Sequence, residues 1–529
     1  GFFNDADREY LKQEGIELAK STLDKLYEDN FNIYKAFTTA ENQIYLSYVS
    51  SDGDGKSLRP SILIGKIKKM YPKLQEKSDV IYKEYKVENK ISTYEQLIEN
   101  ISRLRNKEKI DDVWYYIYQY YKSQSDWNKK LEADLKGLEY TNLPEKIKKE
   151  NLEKLYGNTL NTSISRLEKY RSCPFSYYLQ YGLKLKEKEQ LKIQSFNTGS
   201  FMHETIDEFF EYVRQEGLSL AELEEEQITK IVSEIIENNL KMSKNYIFTA
   251  TAKYKVLVKR LKKIVSKALK YIIETIIYSD FSIEGTEVEF GKNSRYKPIV
   301  LEIGEGKKVE ITGKIDRIDT SKNEDGKYLR IIDYKSSAKN IDLNEVYAGL
   351  QIQLLTYTDA ICREEDIMPA GVFYFSLLEQ MVKADKKMTE DEIEETIRKN
   401  FKMKGLIIAD VKIIKMNDNT LKTGNSKLVP AALTTSGTIN EKWTNGVKAE
   451  EFRTLQEYIY KTIKDISKEI LSGNIDLKPY YKKGKTPCQY CEYKAVCGFN
   501  SRQENNTYNY IEQKSKDEIL LKMKKNLEE

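Results

Sequence analysis

The spacing of apolar and polar positions along the chain changes period several times, and each change marks an element. From Asp5 to Leu26, Pro60 to Met70 and Ser92 to Leu138, apolar residues recur every three or four positions, the period of a helix buried along one face. Between the first two helices, Gln43 to Val49 (QIYLSYV) is short and rich in β-favouring residues, which predicts a strand; the loop Ser51 to Lys56 (SDGDGK) follows it. A charged run, Glu145 to Lys154, leads to a turn at Gly157-Asn158 and predicts a domain boundary near 157. A short helix follows over Ser163 to Tyr170. Another runs from Ser200 through His203 to about Tyr212, and charged amphipathic helices continue to about Tyr278.

Period two then takes over at Ser282–Phe290, Lys308–Ile318 and Tyr328–Tyr334, with Gly326 turning between the last two. A helix at Val346–Ala360 and an apolar strand at Ala370–Leu377 come next. Residues 380–448 are polar and irregular and read as an insertion. A long helix, Ala449–Leu471, follows, and 501–529 form a charged tail. Helix, three strands, helix, strand predicts an α/β core whose mixed sheet starts with antiparallel strands and is flanked by helices, preceded by a mostly helical region over 1–157.

Composition changes this picture little. At 529 residues the chain is too long for one core. Its 87 basic and 83 acidic residues nearly cancel, so a net charge of +4 leaves any basic groove a local matter. No apolar run of about 18 residues is present, which excludes a helical membrane span, and no leader pattern opens the chain. The absence of a starting Met points to a piece of a longer protein, of cytoplasmic origin.

The chemistry concentrates in two strands. Asp333 and Lys335 of IIDYK share one face of an extended strand, because alternate residues do. Asp316 of GKIDRID lies on the strand before, and the connection is short enough for a hairpin. Carboxylates suit hard cations such as Mg²⁺ or Mn²⁺; the lysine can position a water or offset phosphate charge. His203 is the single histidine of the chain and is followed one helical turn later by Asp207. Gln353 and Tyr357 are likewise one turn apart.

Together these pieces resemble the RecB-type branch of the PD-(D/E)xK nucleases. The resemblance rests on GSFMHETIDEFF, GKIDRID, IIDYKS and Gln353-Leu-Leu-Thr-Tyr357, found in the family's order. It implies metal ligation by His203, Asp316, Asp333 and the backbone carbonyl of Tyr334. It makes Lys335 the catalytic lysine, while Gln353 and Tyr357 support the site or contact the DNA backbone.

Three of the five cysteines, Cys488, Cys491 and Cys497, fall within ten residues; Cys173 is the natural fourth partner, and Cys362 reads as a buried thiol that ligates nothing. Four thiolates suit zinc or a [4Fe–4S] cluster, and spacing leaves both open. Nucleases of the AddB class place one cysteine before the core and C-x-x-C-x5-C after it, so the resemblance implies a [4Fe–4S] cluster closing the domain over 158–500.

Residues 34–49 resemble the last helicase motif of the UvrD-like superfamily, with Thr39 where that family carries an arginine that reaches ATP. No G-x-x-x-x-G-K-[ST] loop occurs, so this chain is expected to hydrolyse no ATP. A degenerate helicase end, a nuclease and a split cysteine group are similar to the C-terminal half of the AddB class, B subunits of bacterial ATP-dependent helicase–nucleases. That implies an AddA-like partner with the motor and a second nuclease. It also implies 5′→3′ cleavage of single strands, resection of double-strand breaks before homologous recombination, and at most part of Chi recognition. Two other readings are a non-catalytic DNA-binding scaffold and a stand-alone exonuclease of the CRISPR spacer-acquisition type. The complete Asp-Asp-Lys set disfavours the first, and chain length the second.

Overall fold

A computed structural model describes residues 4–16, 19–51, 56–78, 87, 89–105, 108–139, 141–186, 193, 195–378, 388–501 and 505–528. The chain divides into two compact units, residues 1–123 and 124–529.

The described residues of the first unit form the helices Asp5–Gln13, Thr22–Thr38, Ile62–Met70, Lys90–Arg105 and Val113–Ser123. Asn4 with Asp7, and Ser21 with Asp24, close capping boxes that satisfy the free amides of the first two helices. Tyr94 and Leu97 of the fourth helix are buried with Trp114 and Tyr121 of the fifth, and the Tyr94 and Tyr121 rings meet edge to face at 5.2 Å. The strand expected at Gln43–Val49 does not form. That segment is irregular, and Ile44, Tyr45, Leu46, Tyr48 and Val49 are exposed. An extended segment becomes a strand only where a ladder partner completes its hydrogen bonds, and none pairs with these residues among the described residues. Residues 52–55 of the predicted SDGDGK loop lie outside the described residues.

The second unit begins earlier than the boundary expected near Gly157, because residues 124–157 are tied to the far end of the chain. The Ile147 amide donates to Gly473 O (3.0 Å), and Asn142 Nδ2 donates to Cys497 O (3.0 Å) and Gly498 O (3.1 Å).

The core of this unit is a six-stranded mixed sheet. With β1 at Thr159–Thr162, β2 at Ser282–Phe290, β3 at Ile299–Gly304, β4 at Lys307–Ile311, β5 at Gly313–Asn323, β6 at Gly326–Lys335, β7 at Met368–Ser376 and β8 at Lys404–Ile408, the sheet runs β2-β5-β6-β7-β8 and ends on the short strand Gly446–Val447. Only β6–β7 and the last pair are parallel. The continuous strand expected over Lys308–Ile318 breaks before Gly313. Its first half, β4, pairs with β1 and β3 in a separate three-stranded sheet, and the Thr312 amide donates to Thr162 O. The helix expected over Val346–Ala360 is likewise two, Leu343–Tyr347 and Gln353–Glu365.

Helices cover both faces of the sheet. On one, the Gln353–Glu365 helix and the Ala449–Leu471 helix, which presents Phe452, Leu455, Ile459, Ile463, Ile466 and Ile470 at helical spacing, bury Leu329 and Ile331. On the other, the helices Ser195–Gln215, Glu225–Asn239 and Ala252–Ile277 bury Ile332, Tyr334, Phe373 and Phe375. Burial on both faces explains why β6 is buried continuously from Tyr328 to Tyr334, its charged Arg330 and Asp333 included.

Part of the segment expected as an irregular insertion belongs to the sheet. It carries β8 and Gly446–Val447 beside the helix Glu390–Phe401; residues 379–387 lie outside the described residues. β8 escapes notice because it is short and holds Gly405, where a Cβ would stand 2.1 Å from Val372 O on β7.

Inside the sheet lies a charged triad. Arg317, Asp319 and Arg330 are 1%, 0% and 0% exposed. Arg317 grips Asp319 through two bonds of 2.6 Å, and Arg330 Nε donates to the same carboxylate at 2.8 Å. Arg330 also donates to Thr275 O, Ser279 Oγ and Asn417 Oδ1. Removing one partner of such a network strands the remaining charges. We predict that Asp319→Asn, which keeps the shape but removes the charge, destabilises the second unit by about 3–5 kcal/mol. Urea unfolding followed by circular dichroism checks this, and an unchanged midpoint would contradict it.

Candidate active site

The site forms where two strands part. The β5–β6 ladder runs from Asn323↔Gly326 to Arg317↔Ile332 and stops there. The next residues in register would be Asp316 and Asp333. Past that point the Tyr334 amide finds its acceptor in a side chain, donating to Asp316 Oδ2 at 2.7 Å. The backbone donor remains satisfied while the strands separate, and the gap opens between two carboxylates.

His203 enters from the Ser195–Gln215 helix, whose buried Phe201, Met202, Ile206 and Phe209 hold it on the sheet. Its Nδ1 lies 3.4 Å from Asp316 Oδ2, and its ring meets Tyr334 edge to face at 5.8 Å. Asp333 stands beside Asp316, with Lys335 Nζ 2.5 Å from its Oδ2. That contact is close but poorly directed, and no well-formed hydrogen bond reaches this buried oxygen among the described residues. The third ligand atom near His203 and Asp316 comes instead from Glu287 on β2; the three lie within 4.8 Å of one another.

Charge crowding shapes the titration of these groups. Burial, with Asp316 beside it, pushes the Asp333 carboxyl up to about 6 despite Lys335. Burial opposes the charged form of His203, but Asp316, Asp333 and Glu287 outweigh it and raise the imidazole pKa. Lys335 is held above its ordinary value because Asp333 and Asp316 outweigh its burial, so it remains an ammonium. Such a lysine can offset charge on a phosphate; as a cation it is no base.

Gln353 opens its helix, and its amide (3.0 Å) and that of Ile352 (2.7 Å) both donate to Glu168 Oε1. Burial pushes the Glu168 carboxyl up to about 7, with Lys339 and these amides opposing. Tyr357 is buried and stacks on Phe290 at 5.2 Å. A Cβ on Gly313 would stand 1.8 Å from its hydroxyl, so the glycine of the GKIDRID strand is what lets Tyr357 reach that backbone. Tyr357 therefore supports the strand carrying Asp316 from within the core. Sequence reasoning missed Glu168 and Glu287. The alternation of SIEGTEVEF placed Glu287 on a strand, but its register against Asp316 required the fold.

Cys173 follows the helix Ile164–Ser172, and Cys488, Cys491 and Cys497 lie in the loop after the Ala449–Leu471 helix. All four line one cavity of about 160 Å³ with Phe175, Leu477 and Phe499. Among the described residues, no three of their sulfurs come within 4.8 Å of one another. The Phe499 amide points to Cys497 Sγ at 3.5 Å. Burial pushes the Cys173 thiol up to about 11. Cys362 is apart, on the Gln353–Glu365 helix and packed in the core. In the first unit, the Thr39 hydroxyl turns back to Lys35 O at 2.6 Å, on an exposed helix end.

Comparison with known proteins places the fold in a family. Residues 161–498 match the PD-(D/E)XK nuclease superfamily, and residues 84–137 match the fifth domain of the ATP-dependent helicase/deoxyribonuclease AddB. The chain is 37% identical over its full length to the B subunit of an ATP-dependent helicase/deoxyribonuclease from Clostridium novyi, and 36% to that of Acetivibrio thermocellus, covering 47% of each. The corresponding B subunit of a Thermoanaerobacter species is 36% identical over 98% of this chain and 46% of its own. The chain thus spans about half the length of the curated relatives it matches. It belongs to the PD-(D/E)XK nuclease superfamily and, within it, to the AddB family.

Proposed function

We propose that the chain is the nuclease-bearing part of a helicase–nuclease complex and cuts single-stranded DNA with Mg²⁺ or Mn²⁺. The observation that carries this reading is the parting of β5 and β6, which sets Asp316 and Asp333 at one opening beside Lys335. The donors suit the ion: carboxylate oxygens and an imidazole, with Asp333 Oδ2 buried and undirected. His203, Asp316, Asp333 and the Tyr334 carbonyl would hold it. The cation supplies a polarised water and neutralises charge on the scissile phosphate. Lys335, still an ammonium, orients that phosphate and offsets the charge that develops on it. Gln353 and Tyr357 would support the site or contact the DNA backbone, and the packing of Tyr357 against Gly313 of β5 supports the first of these roles.

The polarity proposed is 5′→3′, in a cytoplasmic complex with an AddA-like motor protein that resects double-strand breaks for recombination. The relatives are all named as B subunits of an ATP-dependent helicase/deoxyribonuclease, which supports that setting. Thr39, lacking charge and already bonded to its own helix, supports a first unit that does not hydrolyse ATP. Among the described residues no helix is long and apolar enough to cross a membrane.

For the cysteines we propose a [4Fe–4S] cluster. Four thiols line one cavity, and four thiolates suit a [4Fe–4S] cluster as well as zinc; the likeness to AddB, whose fifth-domain model matches residues 84–137, favours the cluster. Its role is to clasp segments on either side of the nuclease core.

End-labelled single strands incubated with Mg²⁺ test the catalytic reading. Asp333→Ala and Lys335→Ala each lower cleavage by on the order of a hundredfold or more while circular dichroism stays native, and 5′-labelled strands release label first. Unchanged cleavage by folded Asp333→Ala protein rejects the site. Anaerobically purified protein is expected to absorb broadly near about 400 nm and hold about four iron atoms per chain, lost in Cys173→Ser. Stoichiometric zinc without iron rejects the cluster.

A further inference from the structure

We infer that the exposed face of the Ala252–Ile277 helix binds the phosphate backbone of the single strand that the nuclease opening cuts. The inference rests on the nuclease reading above and assigns a surface that holds its substrate.

The charge on this helix is one-sided. Between Ala252 and Ile273 it carries eight basic residues and no acidic one, in a chain whose 87 bases and 83 acids nearly cancel. Its apolar side, with Val258, Leu261, Val265, Leu269 and Ile272, is buried in the core on the His203 side of the sheet. On its flanks, Lys262 meets Glu237 at 2.9 Å, and Lys270 meets Glu225 at 2.8 Å and Glu394 at 2.9 Å. Lys253, Lys255, Lys259, Arg260 and Lys263 are exposed, and among the described residues no carboxylate pairs with them. At 1.5 Å per residue they span about 15 Å of the helix.

Folding does not ask for this arrangement. A solvated helix face is stabilised by acids and bases one turn apart. Here Lys255 with Lys259, Lys259 with Lys263 and Arg260 with Lys263 set like charges at that spacing and oppose the helix. A polyanion along the face relieves the repulsion, and each cation that meets a phosphate releases a counterion from the strand. Two neighbouring features favour a nucleic acid over an acidic protein surface. Tyr246, 65% exposed in the 3₁₀ turn Ser243–Phe248 that precedes the helix, offers a ring on which a base can stack. The same turn adjoins the site: Phe248 meets Phe201, two residues before His203, with ring centroids 4.7 Å apart. The Ile193 amide also donates to the Tyr254 hydroxyl, which ties the start of the basic helix to the chain just before the His203 helix. A strand held along this face therefore lies on the side of the sheet from which His203 enters the opening.

Fluorescence anisotropy of a labelled single strand of about 20 nucleotides, longer than a typical single-strand site, tests this on the full chain in EDTA, where nothing is cut. Lys259→Gln, Arg260→Gln and Lys263→Gln combined are expected to weaken binding roughly tenfold or more at low salt. The slope of log affinity against log salt should fall by about 2, from three phosphate contacts at about 0.7 each. Lys522→Gln, Lys524→Gln and Lys525→Gln on the C-terminal helix remove the same charge elsewhere and should leave binding as in wild type. A folded first variant with wild-type affinity and slope overturns the assignment and gives the face to an acidic protein partner. Equal losses in both triple variants also overturn it, because net charge alone is then at work. Should the first variant not fold, Lys255→Gln with Lys259→Gln decides by the same two readouts. The nuclease reading fails separately: if the first variant loses the strand but wild type cuts none with Mg²⁺, the surface stands and the cutting does not.

Discussion

The second unit depends on the place where one ladder of hydrogen bonds ends. β5 and β6 stay paired through Arg317↔Ile332, and the buried charges of Arg317, Asp319 and Arg330 pin them together just inside that point. One residue further on, the Tyr334 amide turns to the Asp316 side chain and the strands separate. The rigid network and the open site are thus adjacent for a physical reason. Two like charges can be held close at the opening only if the strands that carry them are fixed immediately behind it. The Arg317-Ile-Asp319 part of the GKIDRID run supplies the clamp, and its Asp316 supplies the site.

The remaining structure serves to keep that opening in shape. Tyr357, wedged over Gly313, holds the start of β5 from the core side. Glu168 gathers the first amides of the Gln353 helix and sits on the same short helix that runs into Cys173. The helix after the core returns beside it: Arg171 meets Glu469 at 3.1 Å, the Tyr170 hydroxyl reaches Asn474 O, and the Phe175 amide reaches Asp476 O. The four cysteines stand where these two distant segments converge. Cross-linking segments this far apart in sequence would remove much entropy from the unfolded state, which is the structural role proposed for a cysteine-bound cluster.

Much of this was legible in sequence, for identifiable reasons. Asp333 and Lys335 sit on a central strand with a strict period, and Ser282–Phe290 and Ala449–Leu471 match their elements end to end because pattern and packing agree there. Three kinds of feature were not. The QIYLSYV segment has strand-like residues but no ladder partner, so composition alone misled. β8 is a strand because Gly405 lets it approach β7, a tertiary fact that a local window does not hold. Glu287 belongs to the site through cross-strand register, which a single strand's alternation cannot reveal. His203 gained its place from the helix that carries it, since an isolated histidine says little.

The central claim is that the parting of β5 and β6 is a cation site organised by Asp316. Diffraction from crystals grown with Mn²⁺, recorded at the manganese absorption edge, tests it most directly. The account predicts an anomalous peak at bonding distance, about 2.2 Å, from the Asp316 carboxylate in the opening between the strands. An opening without a peak, or manganese bound only at sites that Asp316 does not touch, would contradict it.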